Sequence, residues 1–243
     1  PAGALPNLLV EGHNLESKVT TGAWRAPVHN FLGFAEQSFL DEVALAAGKD
    51  PVQFRLDLLD QAKRAPVGRQ EYQADRLKGV IRLAAEKANW GQAPSGVFQG
   101  FSAYFSFSTY VAQVVEVAMV NNKPKIQRVV CAVDCGILIN RSGAENQVAG
   151  AIIDGLGHAM FSQLTIKDGA PEQTNFDRYR LIRMAEAPSV EVHFVESEEA
   201  PTGLGEPALP PLAAAFGNAV FRATGKRLRN QPFVQPGEPG LLG

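Results

Sequence analysis

Cysteine is scarce: Cys131 and Cys135, four positions apart beside an expected strand end, are the two cysteines in 243 residues. That number excludes a disulfide framework, and a structural zinc site or an iron–sulfur cluster takes about four ligands, so both read as ordinary reduced or buried thiols. No apolar run approaches the ~20 residues that span a bilayer, which argues against membrane insertion. Long basic runs are also missing, and a net charge of −2 gives no reason to expect nucleic acid or an anionic membrane as partner. The histidines, His13, His29, His158 and His193, lack paired metal-ligand spacing. Neither a Gly-x-x-x-x-Gly-Lys phosphate loop nor a Gly-x-Ser-x-Gly nucleophile elbow occurs. The start, Pro1-Ala2-Gly3-Ala4-Leu5, has no initiator Met and no basic leader, so the chain is expected to be a fragment or a processed piece. Any leader would lie upstream, which leaves both periplasm and cytoplasm open.

What remains is a sequence of globular type, 45% hydrophobic and long enough for a substantial core. Helical spacing over Phe31 to Ala47, closed by Gly48, predicts a first helix. Asp50-Pro51 reads as a cap and first-turn proline opening a second helix to about Leu59, and Glu71 to Ala88 carries a third. From Gly96 the composition turns to Phe, Tyr, Val and Ser. Tyr104 to Val120 and Lys125 to Asp134 read as strands joined by a hairpin at Asn121-Asn122-Lys123-Pro124. Ser142 to Gln163 returns to helical spacing despite Gly150, Gly155 and Gly157, so close packing against its backbone is expected. Leu164 to Ile166 and Val190 to Glu196 are short strand candidates, and Pro210 to Ala223 is a final helix stopped by Gly225. The expected architecture is α+β, helices on a mixed, largely antiparallel sheet. Two parts are expected: a mainly helical 1–95, and an α+β 96–243, joined near Asn89 to Ser95.

Three constellations could carry chemistry. Pro201-Thr202-Gly203-Leu204-Gly205-Glu206-Pro207 holds one carboxylate in a Gly/Pro-rich turn ahead of an apolar helix. Its glycines let backbone come close to a ligand. Glu206 reads either as an acid stabilising the helix start or as a carboxylate placed by the turn, for which Leu204, Pro207 and Leu209 could supply an apolar wall. Asn146, Gly150, Asp154 and His158 form a polar, small-residue stripe at i, i+4 spacing, with Asp154 and His158 also readable as a surface pair. Arg25, between Trp24 and Ala26-Pro27, is either an oxyanion clamp or a surface ion-pair partner, and Trp24 either walls a pocket or simply packs.

The Gly-Leu-Gly-Glu-Pro run through Asn218 to Arg229 resembles the C-terminal signature of the molybdenum hydroxylase large subunit, the xanthine dehydrogenase and aldehyde oxidoreductase superfamily. It is most similar to the isoquinoline 1-oxidoreductase type of β subunit, and the resemblance extends from about Gly22 to Phe233. It implies a molybdopterin-type molybdenum cofactor, with the cytosine dinucleotide form as one variant, held without protein metal ligands. It implies Glu206 as the general base toward a metal-bound hydroxyl, with Gln147, Gly205 and Arg25 about the cofactor. The implied reaction hydroxylates an electron-poor carbon of an N-heterocycle or oxidises an aldehyde, with water as oxygen source. The family's Met-Gly-Gln-Gly motif does not occur, and the usual proline after the asparagine at position 140 is replaced by Arg141. A missing N-terminal half of the large subunit and an iron–sulfur small subunit are therefore the expected partners, and the chain alone is expected to be inactive. The competing expectation is a non-catalytic binding or assembly module that keeps the fold.

Overall fold

A computed structural model describes residues 3–13, 15–16 and 18–234. The elements run in the order α1 (His29–Ala46), α2 (Pro51–Arg64), α3 (Ala74–Lys87), β1 (Val97–Ser106), β2 (Thr109–Val120), β3 (Lys123–Asp134), α4 (Arg141–Met160), β4 (Ile166–Lys167), β5 (Ala170–Pro171), β6 (Ser189–Phe194) and α5 (Leu212–Thr224). The main sheet has the order β1-β2-β3-β6. Its first three strands are antiparallel and β6 joins β3 in parallel. The fold is α+β on a mixed sheet.

Local chemistry accounts for most boundaries. Asp50 accepts hydrogen bonds from the Val52 and Gln53 amides, both at 2.9 Å, so the cap read from sequence is formed, and α2 continues to Arg64 instead of stopping near Leu59. Asn140 caps α4 by accepting from Gly143 N at 2.9 Å. Gly225 ends α5 at φ 73°, the left-handed conformation that costs glycine least. The β2–β3 hairpin turns on Asn121 and Asn122, both at positive φ, as primed two-residue turns require.

The expected single strand from Tyr104 to Val120 is instead two strands, β1 and β2, folded back at Phe107-Ser108. Both turn residues take positive φ (51° and 60°) although neither is glycine or asparagine. Ten paired residues on each side, from Val97↔Ala118 to Ser106↔Thr109, hold that unfavourable turn in place.

The sheet is buried on both faces. On one, Val111, Val115, Val129, Cys131 and Val133 meet α4 and α5, while Val190, Val192 and Phe194 of β6 pack alongside. On the other, Phe101, Ala112, Val114, Val130 and Ala132 meet Val80, Ile81 and Ala84 of α3. Gln127 has no ladder partner between Arg128↔Glu116 and Ile126↔Val117. That extra residue lets Ile126 and Val129 face the same core despite their odd spacing. Helix α1 covers the β1 edge, where Gln37 Oε1 accepts from the Ala103 amide at 3.2 Å and from Arg55 Nε at 2.9 Å. Asp41 of α1 is fully buried and paired with Arg227 at 2.8 Å, just past α5, so the basic tail ties the last helix to the first.

The glycines of α4 divide into two kinds. A Cβ at Gly155 would lie 3.1 Å from Leu212 Cδ2, and one at Gly157 3.2 Å from Ile182 Cγ2, the close packing expected. At Gly150 nothing lies within 4 Å, so there the expectation fails. Among the described residues, no helix is long and apolar enough to cross a membrane.

Candidate functional site

The Gly203–Glu206 turn lies where three elements meet: the end of the sheet, the exposed side of α4, and the irregular segment entering α1. Its path is fixed by main-chain bonds. Thr202 N donates to Cys135 O at 2.9 Å, and Thr109 at the start of β2 donates its hydroxyl to Gly203 O and lies 2.7 Å from Thr202 Oγ1. Beyond the glutamate, Gln113 Nε2 donates to Ala208 O at 2.7 Å. Thr109 and Gln113 went unnoticed in the sequence. The available signal was a glutamine at an inward position within Val111-Ala112-Gln113-Val114-Val115.

Glu206 lies six residues before α5, and Leu209 N closes a turn onto its carbonyl at 3.0 Å. A helix dipole acts mainly within the first turn, so the helix-start reading loses its basis. The carboxylate has a different partner: the Ala26 amide donates to Oε1 at 2.9 Å, across 180 positions of sequence. Oε2 has no partner among the described residues. Of the apolar wall expected around the carboxylate, Pro207 is buried, whereas Leu209 is turned toward Gly155 of α4, 3.2 Å from where a Cβ would stand.

Arg25 faces the same turn. Its Nε donates to Gly205 O at 2.7 Å, and Nη2 donates to that oxygen and, at 3.4 Å, to Gln147 O. Nη1 lies 3.4 Å from Asp154 Oδ2. The planar fork is thus directed at protein carbonyls and one carboxylate, joining the turn to α4. Gln147 extends from the exposed side of α4, and its side-chain amide has no partner among the described residues. A Cβ on Gly205 would lie 3.9 Å from Gln147 Oε1, so the two are neighbours. Gly150 leaves open space one turn further along.

Asp154 and His158 also join this cluster. His158 Nε2 stands 3.0 Å from Asp154 Oδ1 and 2.8 Å from Trp24 Nε1. Hydrogen bonding to His158 lowers the Asp154 pKa against the opposing effect of burial, and Arg25 lowers it further. Trp24 is 41% exposed, forming an edge of the open side. The structure therefore brings Arg25, Gln147, Gly205 and Glu206 together from three distant stretches.

This arrangement suits a large polar ligand lying across the turn. It offers a carboxylate oxygen and an amide side chain, both without a partner among the described residues, beside an exposed glycine, Gly205, with open space over Gly150 of α4. The residues present fit a pterin-type cofactor, for which amide and main-chain groups are suitable hydrogen-bond partners.

Comparison with known proteins agrees. The molybdopterin cofactor-binding domain model matches residues 43–188, a stretch that includes Gln147 and Asp154. The membrane-bound aldehyde dehydrogenase (pyrroloquinoline-quinone) of Gluconacetobacter polyoxogenes is 34% identical over 243 residues, covering 93% of this chain and 30% of its own length. Isoquinoline 1-oxidoreductase subunit beta of Brevundimonas diminuta is 31% identical over 205 residues, covering 82% of this chain and 25% of its own. Among solved structures, the aldehyde oxidoreductase of Desulfovibrio gigas superposes with a TM-score of 0.62 at 13% identity, over 85% of this chain and 40% of that one, a likeness of fold. The chain thus spans less than a third of the length of these two curated relatives. With a family match over more than half its residues and a site whose exposed groups suit the ligand, the chain belongs to the molybdopterin cofactor-binding domain family.

Proposed function

We propose that this chain is the base-carrying part of a molybdenum hydroxylase large subunit, which hydroxylates an electron-poor carbon of an N-heterocycle or oxidises an aldehyde. One observation carries the reading: Glu206 has one carboxylate oxygen fixed by the Ala26 amide and the other without a hydrogen-bond partner among the described residues, beside the exposed Gly205 and Gln147. A fixed carboxylate with one free oxygen is suited to proton transfer, because its orientation is set before the proton moves. The names of the aldehyde- and isoquinoline-oxidising relatives supply the two substrate classes.

In this reading, Gln147 and the Gly205 backbone hold the molybdopterin cofactor, which when bound supplies the two-electron oxidation of the substrate carbon. Glu206 Oε2 takes the proton from the water-derived oxygen that is added to that carbon. Arg25 shapes the rim by holding Gly205 O and Gln147 O in fixed relation, while Trp24 screens one side from water. The cytosine dinucleotide form of the cofactor, the remainder of the large subunit and iron–sulfur clusters on a small subunit complete the proposal. The naming of relatives as subunits supports a separate electron-carrying partner.

The test is Glu206→Gln in the assembled enzyme, assayed with an aldehyde and an N-heterocycle alongside molybdenum and pterin content. We expect turnover to fall by about 10³-fold or more with the cofactor retained, as for loss of an essential proton acceptor. Turnover within a few-fold of the parent would remove Glu206 as the base.

A further inference from the structure

Asp154 and His158 have no part in the chemistry above, yet they stand one turn apart on α4 at its margin. His158 Nε2 is within hydrogen-bonding distance of two groups with opposite needs: the Trp24 indole N–H at 2.8 Å and Asp154 Oδ1 at 3.0 Å. An indole can only donate and a carboxylate can only accept. One ring nitrogen serves them by turns, accepting from Trp24 as a lone pair or donating to Asp154 as N–H. The Trp24 and His158 rings meet edge to face, with centroids 4.0 Å apart at 70°, the geometry of an indole aimed at the imidazole. The groups facing His158 are thus Asp154 on its own helix and Trp24 from the segment before α1. Asp154 in turn faces Arg25 at 3.4 Å.

The next two residues connect this contact to the base. Arg25 holds Gly205 O, and Ala26 gives its amide to Glu206 Oε1. Ala26 has φ 59° and Val28 φ 69°, so two non-glycine residues within three positions sit in the left-handed region. Such backbone persists only where its surroundings over-determine it. Glu206 and the buried pocket of Ala26 hold one end of the strained segment, and α4 holds the other.

We propose that Asp154 and His158 are positioning residues: they anchor the Trp24–Arg25–Ala26 segment to α4 and thereby fix the Glu206 carboxylate. The catalytic consequence rests on the reading of Glu206 given above, whereas the anchoring itself does not.

Amide hydrogen exchange at Ala26 in the resting assembled enzyme, without substrate, reads the anchor independently of turnover. His158→Leu removes both hydrogen-bonding roles, and Trp24→Phe keeps an aromatic ring while losing the N–H. Each is expected to speed exchange at Ala26 about tenfold or more while the amides of α5 keep the parent's rates. His158→Gln carries an acceptor and a donor on one amide, and is expected to return Ala26 to within about threefold of the parent. Unchanged exchange at Ala26 in both His158→Leu and Trp24→Phe overturns the proposal, as does an equal rise throughout α5, which would mean general loosening. In the assembled enzyme, His158→Leu is expected to lower kcat about tenfold with KM unchanged, and His158→Gln to recover it. Were Glu206→Gln to leave turnover intact, the base would be refuted while the exchange result still stood, so the two failures are distinguishable.

Discussion

Replacing Gly100 with alanine tests how firmly α5, and with it the Glu206 turn, is seated on the sheet. A Cβ at Gly100 would lie 2.1 Å from Ala215 O and 2.2 Å from Ala219 N, both main-chain atoms of α5. Neither can swing aside, because Leu212, Phe216 and Val220 of that helix are fully buried. Relief of the overlap requires α5 to withdraw by about 1 Å or more, since non-bonded carbon contacts settle near 3.5 Å. Withdrawal strains two buried hydrogen bonds that fasten α5 to β1: Ser102 Oγ to Pro211 O at 2.6 Å and Asn218 Nδ2 to Phe101 O at 3.1 Å. Overpacking at about 1–3 kcal/mol plus about 1 kcal/mol for each bond gives a destabilisation of about 3–5 kcal/mol. For a chain of this size that corresponds to a fall in Tm of about 6–20 °C. Gly150→Ala is the matched control, since nothing lies within 4 Å of the added methyl. There the helical gain of about 0.5–1 kcal/mol should raise Tm by about 1–4 °C. Thermal unfolding followed by circular dichroism compares the two. A Gly100→Ala protein melting within about 2 °C of the parent would refute the packing described for α5, and a Gly150→Ala protein melting well below it would refute the open face described for α4.

Arg25→Lys should lower the cofactor retained by the assembled enzyme about tenfold, because an ammonium cannot span Gly205 O and Gln147 O as a planar fork does. Molybdenum and pterin per protein measure this, and parent-level content would show that the bridge is dispensable. Burial pushes the Cys131 thiol up to about 12, and burial followed by the nearby Asp134 raises Cys135, so both should stay protonated at pH 8. A thiol reagent should then label the native chain at least about 10²-fold more slowly than the unfolded one. The sign follows from the raised values. The contribution of the neutral Cys131 thiol to stability is complete below the ordinary thiol range and is lost as pH rises toward about 12. Fast labelling of the folded chain at pH 8 would contradict this burial.

The legible parts of this protein were those written in local chemistry. Asp50-Pro51, Asn121-Asn122 and Gly225 each announce one backbone event, and each event occurs where its residues stand. The β1–β2 turn was not legible because Phe107-Ser108 contains neither glycine nor asparagine, the residues that mark positive φ. Its positive φ values are imposed by the pairing of the strands on either side. The site divided in the same way. Glycines and a carboxylate marked the turn, but its contact with Ala26 lies 180 positions away, and the Trp24–His158 contact 134. Periodicity within α4 could place Asp154 and His158 on one stripe, but could not say what faces that stripe.

The Glu206 turn also shows how a glycine-rich segment becomes a precise one. Gly203 and Gly205 admit many backbone conformations, and the selection among them is made elsewhere, by polar side chains of β2. Thr109 grips Gly203 O and Thr202, while Gln113 grips Ala208 O, so the turn is held on both sides of the glutamate. Gln113 is fully buried and its Oε1 has no hydrogen-bond partner among the described residues. An apolar residue there would spare that desolvation, at about 1–3 kcal/mol for an unmet buried polar group. It would also release Ala208, and with it the attachment that holds the turn on the far side of the glutamate. If Glu206 is the base proposed above, the donor that Gln113 supplies from the core helps to place it, and the stability forgone at Gln113 is the physical cost of that placement.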